Sequence, residues 1–441
     1  MSRLVLTAEQ FSSLRDKLLQ FEYESCAILY GRSVEIGGRL VRIIVRDSEI
    51  PPSDAYSVRT AARVQLRPEV VAMAGQRARK NNESVVFVHT HPFSFNAFSQ
   101  TDDSGELELA TFLKHRVPTA RHAALLLTPE VSIARELGQY TPLRVMGVGR
   151  TLEFGETLSD PTPAVRYDRQ IRALGLHGQR RLETIRVGIV GLGGTGSVVL
   201  QQLLHLGVMD FVLSDPDTID ETNLNRVVGA TSSDLGDYKV DVAKRWGQRI
   251  NAHLKIDAHR DNIINAETAR SLADVDFVFC CTDSHGSRAV LNQVAYQYLV
   301  PVIDMGLVIV AAKNTISHIA GRVQLLAPGL ACLTCSNLLD AEQVRRDMLT
   351  DFERRADPYI IGEAQPAPAV ISLNSTVAGL AVTMFLNTAV ALSGDARFLN
   401  YNAIAGTLRP VLATPLPTCI VCSARGALAR GDEWPLAASR V

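Results

Sequence analysis

Over its first 145 or so residues the chain alternates apolar runs with segments of helical period. "SCAILYG", "RLVRIIVRD", "SVVFVHTH" and "AALLLT" are rich in apolar residues and read as strands. "PEVVAMAGQRARKN" and "SGELELATFLKHR" read as helices. The opening "MSRLVLTAEQFSSLRDKLLQ" predicts a strand and then an amphipathic helix, with Thr7 as N-cap and Gln10 closing a capping box. A second block begins with the helical run "YDRQIRALGLHGQRRL" and continues in strand–turn–helix units, the pattern of a doubly wound α/β fold. Between the blocks lies a Gly- and Pro-containing stretch, "GVGRTLEFGETLSDPTPAV", from Gly147 to Val165. The expectation is an α/β chain with a domain over 1–146, a linker over 147–165 and a second domain over 166–441. A charged segment from Asp340 to Tyr359, "DAEQVRRDMLTDFERRADPY", reads as an exposed helix or mobile loop within the second block.

Composition narrows the class. A chain of 441 residues exceeds one typical core. Hydrophobic content of 46% and charged content of 21% describe an ordinary globular protein. A net charge of -1 leaves no basic footprint for nucleic acid. No apolar run approaches the roughly 20 residues that span a bilayer, so no membrane partner is expected. The N-terminus lacks the apolar stretch and cleavage site of a signal peptide, which points to the cytoplasm. In that reducing compartment the seven cysteines are thiols or metal ligands.

The first candidate chemistry lies in "FVHTHPFSFNAFSQTDD", residues 87–103. Residues two apart on a strand share a face, so His89 and His91 can bind one zinc ion. "SQTDDSGELELATFL" reads as a helix start that aims Asp102 back at the strand end, a third ligand that leaves a position open for water. The competing reading is that Ser99 and Asp102 merely cap that helix. H-x-H-x7-S-x2-D resembles the signature of the JAMM/MPN metalloproteases, which remove ubiquitin or process ubiquitin-like proteins. "ESCAILYG", from Glu24 to Gly31, is similar to that family's upstream Glu-x-Cys-Gly strand, with Ala27 in place of its glycine. The resemblance covers about residues 1 to 145. It implies His89, His91 and Asp102 on a catalytic zinc, Glu24 activating the water, and Ser99 holding the oxyanion.

The second lies in "RVGIVGLGGTGSVVLQQLLHLG", a strand, glycine turn and helix in which Gly191, Gly193 and Gly196 satisfy G-x-G-x-x-G. Nicotinamide enzymes share that pattern, and Asp215, ending the next strand "FVLSD", serves a ribose in either class. "DPDTIDETNLNRVVG" and "DYKVDVAK" add Asn223, Arg226 and Lys239 beside the crevice. Hydride transfer has no use for two such cations, whereas adenylation must neutralise departing pyrophosphate. The block resembles the ThiF/MoeB/HesA family, the fold of ubiquitin-activating enzymes, through "RYDRQI", "GLGGTG", "DPDTIDETNLNR" and "CTDSHGSRAVLN", and extends to about Cys422. It implies ATP as the nucleotide, with Asp215 on the ribose and Asn223, Arg226 and Lys239 on the phosphates. Gly194 and Asp217 join the nucleotide-binding set. Asp283 meets Mg²⁺ or the reacting phosphate, its alternative being a helix N-cap. Arg169 reaches into a partner subunit's ATP site, which implies a homodimer.

"ACLTC" and "PTCIVC" place Cys332, Cys335, Cys419 and Cys422 as two C-x-x-C pairs, the four thiolates of a closed zinc site or else redox pairs. The site is similar to the structural zinc of the ThiF/MoeB family. Cys26, Cys280 and Cys281 fall on expected strands, and "DPYIIGEAQPAPAV", where thioester-forming relatives carry a cysteine, has none. The whole reads as a peptidase joined to an adenylating domain, both acting on a ubiquitin-like protein's C-terminal tail. Downstream partners are a conjugating enzyme or a sulfur donor. Rival readings are adenylation for thiocarboxylate formation or small-peptide biosynthesis, a nicotinamide-dependent oxidoreductase, and a silent scaffold.

Overall fold

The computed structural model describes residues 1–93, 95–155, 165–312, 315–349, 353, 367–390 and 392–438. Its chain forms two compact units, one built on 1–159 with 297–299 and 427–435, the other on the remainder. No helix among the described residues is long and apolar enough to cross a membrane.

The first unit is built on an eight-stranded sheet. Its strands are β1 (Arg3–Thr7), β2 (Cys26–Ile36), β3 (Arg39–Glu49), β6 (Ser84–Thr90), β7 (Ala123–Leu127), β8 (Ser132–Glu136), β9 (Pro142–Val148) and β10 (Leu152–Phe154). They run in the order β1-β3-β2-β6-β7-β8-β9-β10, and β1 also pairs with β9, closing the sheet on itself. A separate hairpin joins β4 (Tyr56–Arg59) and β5 (Val64–Leu66). Three helices cover the sheet: α1 (Ala8–Leu18), α2 (Pro68–Asn81) and α3 (Gln100–Arg116). The expected cap is present, since the Thr7 side chain accepts the Gln10 amide and Gln10 closes the capping box.

Strand alternation sorts β6. Val86 and Val88 enter the core that includes Phe11, Leu14 and Leu18 of α1. Val85 and Phe87 face Ala74 and Ala78 of α2 and Leu113 of α3. His89 continues the second set, so the side of the sheet that carries α3 also carries the candidate ligand. The stretch expected as a linker contains the end of β9 and all of β10, and its residues 156–164 lie outside the described residues.

The second unit has β11 (Arg186–Val190), β12 (Asp210–Ser214), β13 (Lys255–His259), β14 (Phe277–Cys280), β15 (Val302–Ala312), β16 (Thr315–Leu326), β17 (Phe398–Asn402) and β18 (Thr407–Pro410). The order is β13-β12-β11-β14-β15-β16-β17-β18, parallel from β13 to β15 and antiparallel beyond. Chain order reverses at β11, between β12 and β14, so a crevice opens at the strands' carboxyl ends.

The helices of this unit are α4 (Asp168–Thr184), α5 (Gly194–Leu206), α6 (Lys239–Ile250), α7 (Ala266–Ser271), α8 (His285–Gln297), α9 (Ala341–Asp347) and α10 (Ile371–Ala389). Gly175 adopts φ 72° and kinks α4. On α10, Phe385 packs edge-on to Phe277 of β14 with ring centroids 4.9 Å apart. The charged segment contributes α9 through Asp347, while 350–352 and 354–359 fall outside the described residues.

Gly31 sits where the β2–β3 register shifts, and a Cβ there would lie 1.9 Å from the Ile44 carbonyl oxygen. Gly31→Ala should therefore destabilise the chain by about 1–3 kcal/mol, the usual range for overpacking. Its denaturant midpoint, compared with that of the unsubstituted protein, checks this.

Candidate functional site

The β2–β6 pairing sets Cys26 opposite His89. It runs on past the strand end, where Thr90 N–H donates to the Ser25 carbonyl (3.0 Å) and Ser25 N–H to Thr90 Oγ1 (2.9 Å). One step further, Glu24 comes opposite His91, with Oε1 3.8 Å from His91 Nε2. Asp102, in the first turn of α3, places Oδ1 3.3 Å from His89 Nε2 and Oδ2 3.7 Å from His91 Nε2. The donor atoms of His89, His91 and Asp102 all lie within 4.8 Å of one another. The Phe95 carbonyl, 3.0 Å from His91 Nδ1, leaves Nε2 facing this group, the usual support for a metal-bound imidazole. Two imidazoles, a carboxylate and a further carboxylate outside the set are the donors of an open zinc site.

The capping reading of Ser99 also holds. Ser99 Oγ accepts the Asp102 amide (3.2 Å), and Asp102 Oδ2 accepts the Ser99 amide (2.6 Å). Cap and ligand are the same carboxylate seen from its two oxygens. Burial opposes ionisation of Asp102, but the His89 imidazole and the Ser99 donors outweigh it and hold the acid well below the usual carboxylate range. Glu24 is only 6% exposed, and burial raises its pKa despite the pull of His89. Burial lowers His91, which favours the neutral ring a metal needs.

Sequence reasoning missed Arg59. Its guanidinium lies over the rings of Tyr23 (4.2 Å) and Tyr56 (4.4 Å) and donates to Ser25 Oγ (2.7 Å) and the Glu24 carbonyl (3.3 Å). It thereby holds the Glu24 carbonyl and the neighbouring Ser25 side chain in place. No local pattern marks that role. Beside the donor set, a cavity of about 580 Å³ is lined by Leu66, Phe87, Leu109 and Phe112, with His89 and Asp102 at its wall.

In the second unit, Gly191 takes φ 87° and lets the chain turn from β11 toward α5. A Cβ on Gly196 would stand 1.8 Å from the Gly191 carbonyl oxygen, so the turn is closed by backbone packing alone. A Cβ on Gly193 would meet nothing within 4 Å, which leaves the loop approachable from the crevice. Asp215 is 5% exposed and accepts the Leu192 amide (2.6 Å) and the Asp217 amide (2.9 Å). Burial raises its pKa, with Lys239 pulling the other way. Lys239 Nζ lies 2.7 Å from Asp217 Oδ2 and 4.0 Å from Asp215 Oδ1, so these three expected residues meet.

Arg226 donates to the Thr222 carbonyl and to Asn225 Oδ1, and its Cγ and Cδ border Gly194. Asn374, in the first turn of α10, reaches the same place and donates from Nδ2 to Thr195 Oγ1 (3.1 Å). Its only signal in the sequence is a lone amide inside the apolar run "ISLNSTVAGLAV". Buried Oδ1 atoms of Asn223 and Asn374 lack a hydrogen-bond donor among the described residues, as expected of groups a ligand completes.

Asp283 is exposed and is not the N-cap of α8. Ser284 fills that role, its Oγ accepting the Ser287 amide (3.1 Å). Asp283 and Arg169, the latter exposed on α4, make no hydrogen bond or ion pair among the described residues.

Cys332, Cys335, Cys419 and Cys422 converge, with sulfur pairs 3.6 Å and 3.5 Å apart. Four thiolates at zinc–sulfur distance span edges of about 3.8 Å, so the cluster fits a closed zinc site. Cys332 is the easiest to ionise, pulled down by Cys422 and its other neighbours, whereas Cys422 is pushed up by Cys332. Burial pushes the Cys26 thiol up to about 12 and Cys280 well above its ordinary value. Cys281 departs from expectation, lying one residue beyond β14 and only half-buried. Its surroundings nevertheless raise its thiol, through desolvation first and the Asp304 charge second. The segment "DPYIIGEAQPAPAV" is described only over its last residues, 367–370.

Residues 167–421 match the ThiF family, and residues 8–134 match the prokaryotic homologs of the JAB domain. The molybdopterin-synthase adenylyltransferase of Escherichia coli (strain K12) is 30% identical over 260 residues, 58% of this chain and 96% of that protein. The SAMP-activating enzyme E1 of Haloferax volcanii is 26% identical over 61% of this chain and 93% of its own length. The adenylyltransferase and sulfurtransferase UBA4 of Meyerozyma guilliermondii is 35% identical over 32% of this chain, which spans about a third (34%) of that relative. The glycine turn, Asp215 and Lys239 all lie inside the longer match, and the His89–His91–Asp102 group inside the shorter. The chain belongs to the ThiF family and carries a JAB domain at its N-terminal end.

Proposed function

We propose that the chain trims or deconjugates a ubiquitin-like protein at its N-terminal zinc site and activates that protein's C-terminal carboxylate by adenylation at its C-terminal site. One observation carries the reading. A single chain joins a JAB domain, whose donor set is faced by the Glu24 carboxylate, to a ThiF domain, whose glycine turn is flanked by Lys239 and Arg226. The first chemistry exposes a C-terminal carboxylate and the second consumes one. Residues 1–146 serve hydrolysis and 166–441 serve activation.

A zinc ion held by His89, His91 and Asp102 supplies the Lewis acidity that makes water nucleophilic at neutral pH. Glu24 takes the proton of the attacking water and delivers it to the leaving amine as the C–N bond breaks. Ser99 Oγ, whose lone pair already serves the Asp102 amide, retains a hydroxyl proton for the oxyanion. At the other site a carboxylate oxygen attacks the α-phosphorus of ATP, and the bond to the β-phosphate breaks to release pyrophosphate. Lys239 and Arg226 offset the departing charge, Asp215 holds the ribose, and Asp283 holds Mg²⁺ or the reacting phosphate. Arg169 completes the crevice of a second copy in a homodimer.

A second reading directs the adenylate to sulfur transfer rather than conjugation. The sulfurtransferase named among the relatives favours it, as does the raised pKa of Cys26, Cys280 and Cys281.

Metal analysis of zinc-supplemented protein should give two zinc ions per chain. Glu24→Gln should lose at least about a hundredfold in peptide cleavage, the lower end of general-base contributions, while both metals stay bound. For the dimer, Arg169→Ala and Asp283→Ala should each be inactive in ATP–pyrophosphate exchange, and mixing them should restore part of the activity. A monomer by light scattering that exchanges at full rate would count against the shared site. After incubation with ATP and candidate ubiquitin-like proteins, a denaturing gel without reductant should show no reductant-sensitive adduct to this chain, because raised thiols are poor nucleophiles.

A further inference from the structure

The two imidazoles of the first unit's donor set are not held alike. Among the described residues His91 has the Phe95 carbonyl 3.0 Å from its Nδ1, whereas Nδ1 of His89 has no hydrogen-bond partner. A metal-bound histidine ordinarily donates its second ring N–H to an oxygen, which fixes the ring's orientation. At His89 packing takes that part. Its ring meets His91 edge-on with centroids 5.1 Å apart, and Phe98 with centroids 5.9 Å apart at a tilt of 59°.

Phe98 has a support of its own. The Arg135 guanidinium lies over its ring, 3.8 Å from the centroid, a cation–π contact. Arg135 comes from β8, in register with Ala124 of β7 and through it with Phe87 of β6, on the sheet face that carries α3. The same guanidinium fastens α3. Its Nε donates to Glu106 Oε2 at 3.0 Å, and its Nη2 to Glu106 Oε1 at 2.9 Å and to Asp103 Oδ1 at 2.6 Å. Glu106 stands one helical turn beyond Asp102, so these bonds fall where α3 presents the third ligand. The Arg135 and Glu106 side chains are only 13% and 6% exposed. Net of desolvation such a pair adds little stability over apolar packing. Its place beside the donor set calls for another reason.

We propose that Arg135 is a positioning residue for the zinc site. Through Phe98 it sets the His89 ring, and through Asp103 and Glu106 it holds the turn that carries Asp102. Two of the three metal ligands thus depend on one side chain that bonds to neither. The inference rests on the zinc reading above and adds a group outside the ligand set.

Cadmium can replace zinc at both candidate sites, and its NMR resonances separate sulfur-bound metal from nitrogen- and oxygen-bound metal. A chelator titration of the full chain, followed by these resonances, reads each site independently. Phe98→Ala and Arg135→Gln should each weaken binding of the nitrogen- and oxygen-bound ion about tenfold to a hundredfold, the usual cost of losing an outer-shell support. That resonance should also shift, while the sulfur-bound one stays in place. Phe98→Tyr keeps the ring and should retain the affinity. Arg135→Lys keeps the cation and should recover part of it. Arg121→Gln is the control, since it breaks the ion pair with the neighbouring Glu136 of β8 and should leave both sites unchanged. Unchanged affinity in Phe98→Ala overturns the role, as it does in Arg135→Gln once the sulfur-bound resonance shows that variant folded. An equal loss in Arg121→Gln also overturns it, because that marks a general loosening. If the unsubstituted protein gives no nitrogen- and oxygen-bound resonance, the zinc reading itself falls, and the positioning role with it.

Discussion

Burying the Asp215 carboxylate would cost several kcal/mol if nothing met it, since an ionised group loses its water and gains no partner. The amides of Leu192 and Asp217 meet it, at 2.6 Å and 2.9 Å, and Lys239 stands 4.0 Å away. Those bonds also fasten the glycine turn to the end of β12. The acid proposed to hold a ribose is thus the acid that shapes the glycine loop. Removing it would release Leu192 and with it the Gly191–Gly196 turn.

The first unit obeys the same constraint with different partners. Asp102 is met by the Ser99 amide on Oδ2 and by His89 on Oδ1, with His91 3.7 Å from Oδ2. Capping therefore leaves room for ligation, because a carboxylate has two oxygens and the helix start needs only one. The cap fixes the rotamer, and the rotamer aims the free oxygen at His89. Arg59, stacked on two tyrosine rings, does the comparable service for Glu24 by holding its carbonyl and the Ser25 hydroxyl.

Thiols are sorted by the same balance of burial and neighbours. Four converge and suit a metal, with Cys332 pulled down by Cys422 and Cys422 pushed up by Cys332. The other three are raised by desolvation, and the two beside β15 are raised further by the buried Asp304 charge. Asp304 therefore acts twice, holding Arg288 and Arg322 while keeping nearby sulfur protonated.

Local periodicity alone determined much of this protein. H-x-H on a strand, G-x-G-x-x-G between strand and helix, and C-x-x-C in a knuckle each work over a few residues, where backbone geometry fixes which atoms meet. The Thr7–Gln10 capping box was legible for the same reason. What the chain's path decided was not. The β1–β9 pairing joins strands nearly 140 residues apart, and Asn374 meets Thr195 across 179. Whether Asp283 or Ser284 caps α8 turns on side-chain direction, and whether Cys281 lies in β14 turns on where the ladder ends. Asp304 looked like one more residue in "VPVIDMG" until α8 and β16 brought Arg288 and Arg322 to it. Spacing encodes what neighbours along the chain can do together, and a contact between distant segments exists only once the sheet has been assembled.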